Sequence, residues 1–105
     1  MWYVFPQISG LGHSETAEHY SISCVNEAKE YVQHPILGSR LLECIDKVLK
    51  IEGKSAEQIF GYPDNLKFLS CLTLFSQVDR DNDIFQQALD KYFDGRPDPR
   101  TLNAM

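Results

Sequence analysis

Pro35-Ile36-Leu37-Gly38-Ser39-Arg40-Leu41-Leu42-Glu43-Cys44-Ile45-Asp46-Lys47-Val48-Leu49 decides the fold class. Ile36, Leu37, Leu41, Leu42, Ile45, Val48 and Leu49 recur at helical spacing, so one face of this stretch is apolar and the other charged. Pro35 suits a first helical turn, because the amide it lacks would have no partner there, and Gly53 fits just past the end. Working outward, Asn26 predicts a cap for a helix over 27–33 that stops before Pro35, and Ser14 a cap for a short helix over about 14–21.

Downstream, Ser55-Ala56-Glu57-Gln58 reads as a capping box opening a short helix that ends near Gly61. A long helix over 63–78 presents Leu66, Leu69, Leu72 and Phe75 on one face, widened by Phe68 and Leu74. A last helix opens at 81–83, carries Ile84, Phe85, Ala88, Leu89, Tyr92 and Phe93, and stops at Gly95. The tail Arg96-Pro97-Asp98-Pro99-Arg100 is expected to be irregular, because two prolines interrupt any ladder. Only 2–5 is strand-like, and four residues cannot make a sheet. The expected architecture is all-α: one domain over 1–105, a small irregular bundle of about five or six helices.

A chain of 105 residues with 43% hydrophobic and 24% charged residues has the composition of one globular domain. No apolar run approaches the roughly 20 residues of a membrane span. The N-terminal 1–5 stretch has no basic region and no cleavage site, so no secretory signal is read and a cytoplasmic setting is expected. Cys24, Cys44 and Cys71 are odd in number and widely spaced, which suggests neither a disulfide framework nor a metal site. The net charge of −5 disfavours duplex nucleic acid as a partner but allows one small anion, because a local cluster of donors can outweigh the total.

Four blocks then carry a resemblance: residues 2–14 (Trp-Tyr-Val-Phe-Pro-Gln-Ile-Ser-Gly-Leu-Gly-His-Ser), 34–41, 66–75 and 95–102 (Gly-Arg-Pro-Asp-Pro-Arg-Thr-Leu). Together they resemble the uncharacterised bacterial and fungal family catalogued as domain of unknown function 1810. The resemblance implies an all-α fold. Members are sometimes labelled calpastatin, which implies a protease inhibitor, but inhibitors of that type are disordered and this composition is globular. Members of the family usually carry a further N-terminal helical stretch. Its loss is expected to leave apolar surface around Trp2, Tyr3 and Phe5 uncovered, which homo-oligomerisation would cover.

The most suggestive constellation for function is the first block. Gly10-Leu11-Gly12-His13-Ser14 is a glycine-containing loop opening onto an expected helix, where free amides attract phosphate. Trp2, Tyr3 and Phe5 could stack on a base or sugar, and Gln7 and His13 offer directional hydrogen bonds. The competing reading is an ordinary turn beside core aromatics. Lys67, Arg96 and Arg100 would complete an anion pocket if the tail folds back; otherwise Lys67 is solvated and the arginines pair with Asp94 or Asp98. Ser70 and Thr73 either line a ligand or bond back to helix carbonyls, and His34 fits a helix cap better than a catalytic base.

No nucleophile–base signature and no metal-ligand spacing occurs, so neither catalytic residues, a metal nor a cofactor is expected. The expectation is a non-catalytic binding module for a small anionic, nucleotide-like ligand of ADP-ribose or cyclic-nucleotide type, sequestering a signalling nucleotide. An enzyme acting on such a ligand, with His13 as acid or base, and a protein-interaction or assembly module are the alternatives.

Overall fold

The computed structural model describes Phe5 and residues 25–105. Six helices lie among them: α1 (Val25–Gln33), α2 (Leu37–Leu49), α3 (Ala56–Phe60), α4 (Asp64–Val78), α5 (Ile84–Phe93) and α6 (Pro99–Ala104), with no strand. The expected helix over 14–21 falls outside the described residues. None of the described helices is long and apolar enough to cross a membrane.

Helix α4 is the axis of the bundle. It packs against α1, α3, α5 and α6, while α2 closes the far side against α1 and α5. Phe68, Ser70, Cys71, Leu72, Thr73, Leu74 and Phe75 of α4 are all buried. That run extends right round the helix, so the single face expected over 63–78 is too narrow a reading. Leu66, assigned to that face, is 43% exposed, because neighbours surround the later turns of α4 and leave this one open.

The surrounding helices bury one stripe each. Leu41, Ile45 and Val48 of α2 and Phe85, Ala88 and Leu89 of α5 point inward at helical spacing. The outer face of α2 is charged, with Lys47–Glu43 at 3.4 Å and Lys50–Asp46 at 2.9 Å. Such exposed pairs contribute only about 0.3–0.5 kcal/mol each, so burial rather than charge holds α2 in place. Aromatic rings join the layers: Phe75 stacks on Phe85 at 5.6 Å, and Phe68 meets Phe60 at 4.7 Å.

The helix ends are satisfied by named groups. Helix α2 starts at Leu37 rather than Pro35, because His34 Nδ1 accepts the amides of Ile36 (3.1 Å) and Leu37 (3.2 Å) and Pro35 lies in the turn before it. Its last carbonyls are taken by α5: Lys91 Nζ donates to those of Leu49 (2.5 Å) and Ile51 (2.8 Å), and the Tyr92 hydroxyl to that of Val48 (2.5 Å). Gly53, expected just past this end, sits three residues beyond the C-cap Lys50 with φ +74°. The capping box is present as read, with Ser55 Oγ accepting the Gln58 amide and Gln58 Oε1 accepting the Ser55 amide.

The tail corrects the expectation of irregularity. Pro99 stands in the first turn of α6, and the Asp98 carboxylate accepts the Arg100 amide. The same Asp-Pro pair that interrupts a ladder starts a helix when nothing precedes it in the ladder.

Gly38 sets the approach of α1 to α2. A Cβ placed there would lie 2.0 Å from the Val32 carbonyl oxygen and 2.7 Å from its carbon, and backbone cannot swing aside. Gly38→Ala should therefore lower stability by about 1–3 kcal/mol, the usual scale of overpacking, despite alanine's better helix propensity. Urea denaturation should show the drop, with the exposed Ser39→Ala as the unaffected control.

Burial in the core pushes the Cys71 thiol well above its ordinary range. The unfolded chain therefore releases this proton first, and stability should fall as pH rises past about 9, toward the folded value. Denaturation midpoints between about pH 8 and 10.5 should decline in the wild type. They should decline less steeply in Cys71→Ala, leaving the contribution of Tyr31, whose hydroxyl is also raised, chiefly by burial.

Candidate functional site

The polar strip of α4 is where the C-terminal tail meets the bundle. Lys67, Ser70 and Thr73 follow one another at single-turn spacing. Lys67 Nζ lies 3.3 Å from Asp64 Oδ1, and both side chains are partly open to solvent. Ser70 Oγ lies 3.0 Å from the Leu66 carbonyl, and Thr73 Oγ1 donates to the Leu69 carbonyl at 2.8 Å. Back-bonding of this kind lets a hydroxyl sit on a buried helix without an orphan proton.

Both hydroxyls also hold the tail. The Asp98 amide donates to Thr73 Oγ1 at 2.8 Å. Asp98 Oδ2 accepts from Thr101 Oγ1 at 2.7 Å and lies 3.0 Å from Ser70 Oγ. Ser70 has one proton for two acceptors, the Leu66 carbonyl and the Asp98 carboxylate, and serves one at a time. Ser70, Thr73 and Thr101 are buried, at 7%, 0% and 0% exposure, so these bonds form in a low-dielectric setting where a lost partner costs most.

The tail thus folds back onto α4, with Asp98 bonded to the turns that follow Lys67. Arg96 and Arg100 flank Asp98 by two residues on either side, and Lys67 is one turn from the Ser70 that Asp98 touches. Arg96 is exposed and its side chain makes no bond among the described residues. Asp98 Oδ1 also accepts the Arg100 backbone amide at 3.3 Å.

Phe5 is 5% exposed, with its ring edge-on to Phe68 at 5.0 Å and to Phe60 at 5.8 Å. It is a core residue, the packing alternative of the two open to it, and the chain itself covers it. Its neighbour in space, Phe68, follows Lys67 directly in sequence. Trp2, Tyr3, Gln7, Gly10, Gly12, His13 and Ser14 lie outside the described residues.

His34 is a cap, as its place before Pro35 suggests, and its acceptor role leaves the ring proton on Nε2. Cys71 is fully buried with its proton held more tightly than usual, the opposite of a reactive thiol. No group of three or more metal-ligating side chains assembles among the described residues. Two open clefts lie elsewhere, one of about 440 Å³ where Lys29 and Gln33 face Gln77 and Arg80, the other of about 280 Å³ beside Glu30, Tyr31 and Leu37. Neither includes Lys67, Arg96 or Arg100.

Sequence reasoning missed Asp98 and Thr101 as the organising pair. The signal was present, since an Asp before a Pro is a helix start as much as a break.

The family described as "Protein of unknown function (DUF1810)" matches residues 1–105. The crystal structure of the conserved hypothetical protein Rv1873 from Mycobacterium tuberculosis is similar at a TM-score of 0.97 and 46% identity, over 99% of this chain and 74% of that one. No protein of curated function matches. The family match spans the same four blocks that carry the resemblance, and the chain belongs to the DUF1810 family.

Proposed function

We propose that the protein is a non-catalytic binding module for a small anionic, nucleotide-like ligand, of ADP-ribose or cyclic-nucleotide type, and that it sequesters such a nucleotide in the cytosol. The observation that supports this most is the docking of the tail on α4 through the Ser70–Asp98 contact, since Arg96 and Arg100 lie two residues from Asp98 and Lys67 one turn from Ser70. A ligand anion would compete with Asp64 for Lys67, while the exposed Arg96 side chain makes no bond among the described residues and is available to it.

The lean away from catalysis rests on how the nucleophiles are held. The Ser70 and Thr73 hydroxyls are committed to carbonyls and to Asp98, and the Cys71 thiol is sealed in the core. A second reading, self-association, draws on a separate observation: Tyr62 is 73%, Leu66 43% and Leu102 40% exposed, apolar surface that a second copy could cover.

Native mass spectrometry set against the denatured mass tests the two readings together. Extra mass that vanishes on denaturation supports the ligand, and a whole-number multiple of the chain mass supports self-association. Titration with ADP-ribose should then show binding that weakens about tenfold or more in Lys67→Ala or Arg96→Ala, since a charge-assisted hydrogen bond contributes about 1.5–3 kcal/mol. No added mass and no heat of binding with ADP-ribose or a cyclic nucleotide would sink the proposal.

A further inference from the structure

We infer that Asp98 is a positioning latch: it holds α6 on α4, and the state of this latch sets the protein's affinity for its anionic ligand. The inference rests on the nucleotide-binding reading and assigns that site a residue that need not touch the ligand.

The argument begins with how α6 is attached. A helix that docks by the hydrophobic effect buries its apolar side chains, as α5 does with Phe85, Ala88 and Leu89. Helix α6 does the reverse. Its one buried residue is Thr101, while Leu102 is 40% and Met105 38% exposed. With little apolar burial, docking falls to hydrogen bonds, and those described between the tail and α4 side chains run through Asp98. Its amide is bound by Thr73, its Oδ2 is approached by Ser70 on α4 and Thr101 on α6, and its Oδ1 caps the first turn of α6. A segment docked through a few polar bonds has a docking equilibrium that the loss of one of them can shift.

That equilibrium carries Arg96 and Arg100 with it. Docked, they flank Asp98 beside the turn of α4 that bears Lys67; released, they leave with the tail. A ligand that bridges Lys67 and Arg96 binds the docked form, so binding and docking are linked and each must strengthen the other.

Thr101 is the residue to test, because at 0% exposure it cannot contact a ligand and its hydroxyl serves Asp98. Two quantities are measured in the full chain: amide exchange over 96–105, and affinity for ADP-ribose by calorimetry. Thr101→Val, which keeps shape and removes the hydroxyl, should speed exchange over 96–105 and weaken ADP-ribose by about tenfold, the loss of one hydrogen bond to a charged acceptor. Thr101→Ser restores the hydroxyl and should return both values toward wild type, a rescue that mere loss of packing would not give. Saturating ADP-ribose should slow exchange over 96–105 in the wild type. Ser70→Ala, which removes the other hydroxyl on Oδ2, should repeat the pattern if Thr101→Val fails to fold.

Faster exchange in Thr101→Val with unchanged ADP-ribose affinity would show that the tail is no part of the site, and would overturn the latch while leaving the ligand reading in place. Unchanged exchange would show that Asp98 does not hold the tail. Absence of ADP-ribose binding by the wild type would overturn the nucleotide reading and this coupling together.

Discussion

A helix surrounded by neighbours must have no polar group left over, and α4 meets that condition through its own hydroxyls. Ser70 and Thr73 lie among Phe68, Cys71, Leu72, Leu74 and Phe75, where an unpaired hydroxyl would cost about 1–3 kcal/mol. Each reaches the carbonyl one turn back, and the remaining hydrogen-bonding capacity is what the tail uses. Everything else packs around this one element: α1, α3, α5 and α6 all rest on it, and α2 reaches the core through α1 and α5.

The helices were largely legible because their signals are local. Apolar spacing in 36–49 and 84–93, the Ser55 box and the glycine stops each act within a turn or two, and the described helices follow them to within a few residues. What was not legible depends on contacts between distant parts. Nothing local tells that α4 is covered on several sides rather than one, so its buried set was drawn too narrow. Nothing local decides whether Asp98-Pro99 ends a structure or begins one, because the Thr73 and Ser70 groups that settle it lie 25 and 28 residues away.

The candidate site divides along the same line. Lys67, Arg96 and Arg100 stand out by residue type, whereas Asp98, which residue type alone marks only as a counter-ion, is the residue the fold bonds to both α4 and α6. Phe5 was named for its ring and proves to be a core contact of Phe60 and Phe68. An aromatic in a short block can stack on a ligand or on its own protein, and only the geometry of the receiving surface separates the two.

The far end of α2 carries a different kind of consequence. Its final carbonyls are bonded by Lys91 and Tyr92, 42 and 44 residues further along the chain. The last turn of α2 is therefore completed in part by local amides, with that of Ile51 on the Val48 carbonyl, and in part by α5. Two helices that are far apart in sequence thus form one cooperative unit, opening and closing together rather than in order along the chain.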